Sequence, residues 1–209
     1  MTNGREVFAA FLEELQLPEP EKLLLRFDLY LKLLLEKNKQ INLFSRTTTE
    51  DDLWTKHFLD SLVPLKCIDF TGKKALDFGT GAGLPGIPLK LAVPDCRMTL
   101  LDSVLKKTLA VQDILAGLEL ADCNVVCERL EDHTKKKVTY DLILCRAVRL
   151  EERYLQPLQQ LLTQQGQVLF YKAQDITDIE PYHPHELLRA EFEYGLRTVQ
   201  ALDRVQLKL

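Results

Sequence analysis

The sequence predicts a doubly wound α/β domain, with a mostly parallel sheet of seven strands and an N-terminal helical cap. Residues 5–66 carry helical patterns alone, short apolar strands alternate with helices from residue 74 onward, and a glycine-rich turn follows the first strand. Such alternation is typical of a parallel sheet with helices on both faces. The predicted units are a cap over residues 1–66 and one compact domain over residues 67–209.

The first two helices of the predicted cap are amphipathic. Apolar residues recur at helical spacing from Val7 to Leu15, and Pro18 with Pro20 ends this helix. A leucine-dense helix follows over about residues 21–39, and charged residues interrupt it too often for a membrane span. We therefore expect these helices to be buried against the sheet.

The third helix of the cap carries a polar trio on one face, His57, Asp60 and Ser61. The trio is either an ordinary hydrogen-bond set on a helix surface or part of a substrate contact, for which His57 and Arg46 are candidates. One histidine without a second histidine or a cysteine is a poor metal site, so no metal is expected.

A glycine-rich turn follows the first predicted strand, residues 75–78, and alternates Gly79, Gly81 and Gly83. Glycine is required where φ is positive or where a ligand lies against bare backbone. From Leu84 the sequence predicts the first turn of a helix, in which prolines are tolerated. A strand, a glycine turn and a helix N-terminus together form a nucleotide-sized crevice.

The residue pattern of this turn distinguishes two cofactor classes. The run Gly81-x-Gly83-x-x-Gly86 matches the dinucleotide fingerprint, which is a weak signal alone. With Asp77 at the strand end, the longer pattern resembles motif I of the Rossmann-like class I methyltransferases, which bind S-adenosylmethionine. A carboxylate suits the cationic amino-acid end of that cofactor and would be awkward beside a pyrophosphate. A glycine turn without any ligand remains the alternative.

Acidic residues at the ends of the next two strands are further cofactor candidates. Asp102 ends the predicted strand 97–102 about twenty residues beyond the loop, where a carboxylate can accept both ribose hydroxyls. Glu131, preceded by Leu130, follows the predicted strand 123–127, where class I methyltransferases usually bind the adenine amino group.

The helix after Asp102 is predicted to be capped by Ser103 and to carry Lys106 and Lys107 near its start. Cations there oppose the helix dipole. They indicate either a phosphate contact or a solvated face.

The fourth predicted strand, 140–148, contains Arg146 at the same sheet edge, where it could hold the methionine carboxylate or an RNA phosphate. Enzymes that methylate exocyclic amines usually place Asn or Asp, two prolines and an aromatic residue here. The chain instead has Cys145-Arg146-Ala147-Val148, so no proton-transferring residue is assigned. A fifth strand, 167–172, ends at Lys172, which is a further candidate for substrate contact. Residues 190–196 and 203–208 are predicted to close the sheet as an antiparallel pair.

Composition restricts the partners and the compartment. The formal net charge is −4, which argues against tight binding to naked RNA without excluding local basic patches. Five cysteines show no paired metal spacing, and Cys123 and Cys127 are predicted to be core thiols. A reducing cytoplasm and no membrane are therefore expected, and the N-terminus lacks a targeting pattern.

Several motifs occur in the order of the glucose-inhibited division protein B family, and the chain resembles that family over roughly residues 30–172. The matching motifs are Asn42-Leu43, His57-x-x-Asp60-Ser61, Leu84-Pro85-Gly86-Ile87-Pro88, Asp102-Ser103-x-x-Lys106-Lys107, Arg129-x-Glu131, Cys145-Arg146-Ala147 and Tyr171-Lys172. These relatives are bacterial RsmG-type methyltransferases of guanine N7 in 16S rRNA. The resemblance implies S-adenosylmethionine contacts at Gly79, Leu84, Leu130, Glu131 and Arg146.

The resemblance also implies a cytoplasmic monomer whose partner is 16S rRNA, within the small ribosomal subunit or its assembly intermediate. Three positions depart from the family pattern: Leu130 replaces a small residue, Cys145 a serine and Ala173 a glycine. Two other functions remain open, a nicotinamide-dependent oxidoreductase and a catalytically silent ribosome assembly factor. Intact cofactor residues speak against the second, and Asp77 with the two prolines of the loop speaks against the first.

Overall fold

The computed structural model describes residues 3–208 and contains one seven-stranded sheet. Its strands are β1 (Lys74–Phe78), β2 (Arg97–Asp102), β3 (Cys123–Cys127), β4 (Tyr140–Arg146), β5 (Leu162–Lys172), β6 (His185–Phe192) and β7 (Gly195–Asp203). The strand order is β3-β2-β1-β4-β5-β7-β6. The first five strands are parallel, whereas β7 runs antiparallel to β5 and β6. The predicted mostly parallel α/β sheet is confirmed.

Helices cover both faces of this sheet. They are α1 (Gly4–Glu14), α2 (Pro20–Gln40), α3 (Glu50–Asp52), α4 (Asp60–Leu62), α5 (Gly86–Ala92), α6 (Leu105–Gly117), α7 (Leu130–His133) and α8 (Glu152–Leu161). A π-helix, Leu53–Leu59, joins α3 to α4. No helix in the described residues is long and apolar enough to cross a membrane.

The cap and one face of the sheet share a single buried cluster. Phe8 of α1, Phe27 of α2 and Phe58 of the π-helix are fully buried together with Leu100 of β2. The Phe58 ring lies 5.4 Å from that of Phe27 and 5.0 Å from that of Tyr30. A second cluster packs α7 and α8 on the other face of the sheet. This burial explains the apolar periodicity of the cap helices, since most helical stability in proteins comes from packing of an apolar face.

The expectation of an entirely helical segment 5–66 is wrong for residues 41–49. The chain leaves α2 at Ile41, and the Asn38 Oδ1 atom accepts the backbone N–H groups of Leu43 and Phe44 at 2.8 and 3.1 Å. An asparagine side chain that accepts backbone N–H groups offers them an alternative to helical pairing. The helix resumes at α3, where Thr49 caps it.

The closing antiparallel pair exists, but its predicted bounds are wrong. The strands β6 and β7 begin several residues earlier than predicted, and residues 204–206 form a 3-10 turn where a strand was expected. The two strands pair tightly around a turn, with Phe192 opposite Gly195 at φ +106°. Glycine is suited to this position, because it adopts a positive φ without a steric penalty.

Three smaller expectations also fail. The helix α5 begins at Gly86, two residues after Leu84, and α6 has Val104 as its N-cap, with no side-chain cap from any described residue. Ser103 therefore does not cap α6, and Asp102 Oδ1 accepts the N–H of Val104, the N-cap residue itself, at 2.9 Å. Cys127 is exposed because β3 is an edge strand.

Replacing Tyr30 by Phe should reduce the free energy of unfolding by roughly 1–3 kcal/mol, because it removes the donor to a buried carbonyl. The buried Tyr30 hydroxyl donates to the Ala82 carbonyl in the glycine loop at 3.0 Å. Urea denaturation of Tyr30→Phe measures this loss. Tyr182→Phe is the control, since no described residue pairs with that hydroxyl, and equal stability of both variants would contradict the prediction.

Candidate functional site

A cavity of about 330 Å³ opens at the carboxyl ends of β1 and β2. Its walls come from the ends of these strands, the segment entering α7, the loop after β4 and the start of α8. The lining residues are Phe78, Gly79, Leu101, Asp102, Ser103, Glu128, Arg129, Leu130, Glu131, Val148, Arg153 and Tyr154. Four predicted cofactor residues therefore meet in one cavity, namely Gly79, Asp102, Leu130 and Glu131.

Asp77 lies beneath the glycine loop and does not line this cavity. Its Oδ2 atom accepts the Thr80 hydroxyl at 2.6 Å and the Gly86 N–H at 2.9 Å, which joins both ends of the loop. The side chain is 1% exposed, and Oδ1 has no hydrogen-bond partner among the described residues. Burial raises the pKa of Asp77 to about 6, although the bonds from Thr80 and Gly86 and the charge of Arg146 oppose the shift.

Gly79 is the loop glycine that lines the cavity. Its φ is +76°, and a Cβ atom there would lie 2.7 Å from Val148 Cγ2 on the opposite wall. The conformation disfavours side chains, and the wall leaves no room for one.

The other loop residues that were predicted to contact the cofactor do not line the cavity. A Cβ atom on Gly83 would meet Ile87 Cδ1 at 2.4 Å, so this glycine permits packing of α5 against the loop. Leu84 packs against the cluster shared with the cap. Gly81 contributes its N–H to Asp102 Oδ2 at 3.0 Å.

Asp102 fixes the loop as well as lining the cavity. Its two carboxylate oxygens accept the N–H groups of Gly81 and Val104 at 3.0 and 2.9 Å. These bonds leave lone pairs on both oxygens, since a carboxylate offers about four acceptor sites. A ribose contact therefore fits this carboxylate and would be added to an already oriented group.

The segment that carries Leu130 and Glu131 is anchored from below by a buried histidine. His133 is 2% exposed, its Nε2 lies 2.7 Å from the Tyr140 hydroxyl, and its Nδ1 pairs with Glu128. This chain of contacts ties α7 to β4, so the wall of the cavity is held by both backbone and side chains. The His133 anchor was not predicted, and the sequence signal for it is weak because the three residues are separated in the chain.

Arg153 and Tyr154 were also missed by the sequence prediction. Both line the cavity from the start of α8, where the Tyr154 ring packs edge-on against Phe78 with centroids 5.1 Å apart. Their position directly after the loop leaving β4 was the available signal, because loops at the carboxyl edge of such a sheet carry ligand contacts.

Arg146 joins β4 to the cap. Its Nε lies 3.1 Å from Asp60 Oδ2, and its Nη1 donates to Ser61 Oγ at 2.8 Å. Further bonds reach the carbonyl oxygens of His57 and Lys56 at 3.1 and 2.6 Å. The polar trio predicted on the cap helix therefore surrounds one guanidinium, and Arg146 does not line the cavity in this arrangement.

The π-helix makes this contact geometrically possible. At its end the Asp60 N–H bonds to the carbonyls of His57 and Thr55, which leaves the Lys56 carbonyl for Arg146. Single turns of π-helix often occur at functional sites. Here the irregular turn presents backbone acceptors to a cation at the sheet edge.

His57 is neutral near pH 7. Burial lowers its pKa to about 4, and the charge of Arg146 acts in the same direction. The folded state therefore disfavours protonation, and the associated stability is present above the ordinary pKa of 6.5 and is lost as the pH falls towards 4. A neutral histidine with this pKa is poorly suited to general acid–base work at neutral pH.

The predicted substrate cations fall into two groups. Lys172 forms a largely buried pair with Asp178, whose carboxylate oxygens both lie 2.7 Å from Nζ. Arg46 and Lys106 are exposed, and Lys107 is half-buried at the start of α6. Arg46, Lys106 and Lys107 remain candidates for contact with a substrate, whereas Lys172 forms an ion pair within the chain.

The family model described as "GidB: rRNA small subunit methyltransferase G" matches residues 24–194. The chain belongs to this family. A relative from Carboxydothermus hydrogenoformans with the same description is 37% identical over 163 residues, which cover 77% of this chain and 68% of the relative. One from Staphylococcus epidermidis is 41% identical over 126 residues, 59% of this chain and 52% of the relative.

Solved structures confirm the fold. A variant of MtNAS in complex with S-adenosylmethionine aligns with a TM-score of 0.60 at 14% identity, over 86% of this chain and 75% of that one. The precorrin-6y C5,15-methyltransferase from Geobacter metallireducens aligns with a TM-score of 0.57 at 11% identity, over 76% and 92%. The Rossmann-like class I methyltransferase fold is thus confirmed.

Family membership decides between the two cofactors considered from the sequence. The chain is a methyltransferase of rRNA that uses S-adenosylmethionine. The cavity fits this group, because the bare backbone of Gly79 leaves a cradle that a side chain would fill. The acceptor oxygens of Asp102 and Glu131 lie in the same cavity and suit ribose and adenine donors.

Gly79→Ala should weaken S-adenosylmethionine binding about tenfold or more, since even ~1.4 kcal/mol of strain or lost contact has that effect. Calorimetry measures the dissociation constant. Gly72→Ala is a matched control, because Gly72 has φ +68° and a Cβ there would have no described atom within 4 Å. Both variants place an alanine at a positive φ, but only Gly79→Ala narrows the cavity. Wild-type affinity in Gly79→Ala would contradict the assignment of the cradle.

Asp77→Asn should become progressively more stable relative to the wild type as the pH rises from about 4 to about 6. The wild-type fold binds the Asp77 proton more tightly than the unfolded chain does, so ionisation costs stability across this window. Urea denaturation of both proteins at several pH values tests this. Asp69→Asn should show no such rise over this window, since hydrogen bonds from Thr71 lower the pKa of exposed Asp69 and its pH dependence lies below about pH 4, with the opposite sign. A constant difference for Asp77→Asn would contradict the shift.

Proposed function

We propose that the chain transfers a methyl group from S-adenosylmethionine to N7 of one guanine in small-subunit rRNA. The observation that carries this proposal is the cavity in which Gly79, Asp102 and Glu131 meet, in a chain that belongs to the rRNA small subunit methyltransferase G family. The target atom is taken from the resemblance to guanine-N7 methyltransferases. Its chemistry is consistent with the residues around the cavity.

Methylation at N7 needs no general base. The N7 atom carries an in-plane lone pair and no proton, and the bound cofactor supplies an activated methyl group on a sulfonium sulfur. The protein then contributes alignment and exclusion of water, an effect worth up to ~7–11 kcal/mol for well-oriented reactants. Gly79, Asp102 and Leu130 are suited to orient one reactant, since all three line the cavity and Asp102 is itself fixed by the N–H groups of Gly81 and Val104.

The histidine and the two aspartates that lie around the glycine loop and the cap support positioning over proton transfer. His57 has a pKa of about 4 and lies in the cap, and Asp60 is occupied by Arg146 and Arg197. Asp77 has a pKa nearer to neutrality but is bonded beneath the loop. The residues after β4 also lack the pattern expected for transfer to an exocyclic amine. These features favour N7 over an amino nitrogen.

We further propose that the substrate is an assembled small subunit or an assembly intermediate. The net charge is −4, and many cations pair within the chain, including Lys37 with Asp113, Lys56 with Asp52, and Lys172 with Asp178. Phosphate contacts supply most sequence-independent affinity for RNA. A chain with a negative net charge and many cations paired internally should therefore rely on a preformed surface that displays the target guanine.

Radiolabelled methyl transfer to small subunits from cells lacking the enzyme should yield one modified guanine. Borohydride reduction and aniline cleavage then locate N7-methylguanosine. Protein-free rRNA should react about tenfold more slowly, and activity should fall steeply with salt. Label on an exocyclic amine or a ribose would refute N7 as the target. Equal rates on both substrates would refute the requirement for an assembled surface.

A further inference from the structure

Two exposed arginines lie at the mouth of the cofactor cavity, and neither was among the predicted substrate residues. Arg129 precedes α7 and Arg153 lies in the first turn of α8, and both line the cavity. Arg129 forms no ion pair within residues 3–208. Arg146 and Lys172, by contrast, have side chains only 14% and 12% exposed and are paired with Asp60 and Asp178.

Arg153 is held over the cavity by a layered contact. Its guanidinium carbon lies 4.7 Å from the centroid of the Tyr154 ring, and that ring packs edge-on against Phe78 at the end of β1. The Arg153 Nη2 atom lies 2.9 Å from both the Tyr154 hydroxyl and Glu151 Oε1. The cation is thus oriented from below by the aromatic ring and from one side by a carboxylate.

The pair between Arg153 and Glu151 is open to exchange. Their side chains are 58% and 51% exposed, and exposed ion pairs of this kind contribute little to stability. The hydrogen bond that Arg153 donates to Glu151 raises the pKa of Arg153, and the charge of Glu131 adds to the effect, so the guanidinium lies within electrostatic reach of α7. A phosphate can accept two parallel N–H groups from one arginine and competes well with such a carboxylate.

We propose that Arg153, together with Arg129 on the neighbouring helix, binds a phosphate of the RNA strand beside the target base, and that Glu151 competes for this contact. The inference rests on the proposed function, because it assigns a substrate contact to the same cavity. It accounts for the position of two exposed arginines at the cofactor cavity. It also locates RNA affinity at the cavity mouth in a chain whose net charge is negative.

The test compares Arg153→Ala, Arg153→Lys and Glu151→Gln in the full chain. Steady-state methylation of small subunits from cells lacking the enzyme gives kcat and KM at saturating S-adenosylmethionine, and calorimetry gives the dissociation constant of the cofactor. Binding of the same subunits in the presence of S-adenosylhomocysteine is measured separately, so that RNA affinity is known whether or not methyl transfer occurs.

The Arg189–Glu186 pair on β6 is a matched control. The Arg189 side chain is also 58% exposed and pairs with Glu186 at 2.7 Å, but neither residue lines the cofactor cavity. Arg189→Ala removes the same charge from the chain. Any effect of total charge on RNA binding should therefore appear in both alanine variants.

Arg153→Ala should raise KM for the subunit roughly five- to twentyfold and reduce the slope of log affinity against log salt by about 1, as expected for one lost phosphate contact. Cofactor affinity and kcat should stay within about twofold, because a phosphate contact adds ground-state binding without entering the chemical step. Arg153→Lys should retain part of the affinity, and Glu151→Gln should bind subunits more tightly than the wild type. Arg189→Ala should resemble the wild type.

Three outcomes would overturn the inference: unchanged subunit binding in Arg153→Ala, an equal loss in Arg189→Ala, or a loss of cofactor affinity as large as the loss of subunit affinity. Weaker subunit binding by Glu151→Gln would refute the competition. A wild-type enzyme that yields no N7-methylguanosine contradicts the proposed function alone, since subunit binding still reports on Arg153.

Discussion

The buried carboxylate of Asp77 holds the glycine loop in the shape on which the site depends. One oxygen accepts from Thr80 and Gly86, so the turn leaving β1 and the helix that follows it share a single acceptor. The cap contacts the same loop, because Tyr30 donates to the Ala82 carbonyl. Burial raises the pKa of Asp77 to about 6, so this order is maintained against a desolvation cost. A substitution at Asp77 should therefore affect the positions of the cap, the glycine loop and the cavity wall together.

A second constraint joins three distant parts of the chain. Asp60 of the cap forms ion pairs with Arg146 at the end of β4 and with Arg197 of β7, at 3.1 and 2.7 Å. Removing Asp60 would leave two cations in a poorly solvated place, which is generally more costly than the net contribution of the intact pairs. The antiparallel pair of β6 and β7 thus stabilises the contact between the cap and β4. This arrangement gives the C-terminal strands a structural task that their sequence did not reveal.

Electrostatics also explains how an acidic chain can be suited to RNA. Several lysines that look available in the sequence are paired within the chain, as Lys172 is with Asp178. Positive charge that remains exposed at the cavity includes Arg129 and Arg153. Local placement of charge, and not the net value of −4, determines the field that a phosphate meets at short range. A modest number of contacts at the mouth is consistent with recognition of a preformed ribosomal surface.

The sequence alone determined the sheet, the bounds of β2 and β3, and the meeting of Gly79, Asp102, Leu130 and Glu131, because local periodicity and strand-end position act over short distances. Tertiary structure decided what those local patterns leave open. Asn38 holds the irregular segment after α2, where a continuous helical cap was expected, and the contacts of Arg146 with the cap turn it away from the cavity. Arg153 and Tyr154 entered the site because α8 begins beside β1, a neighbour remote in the chain. Such contacts depend on strand order, and no local pattern specifies which side chains it brings together.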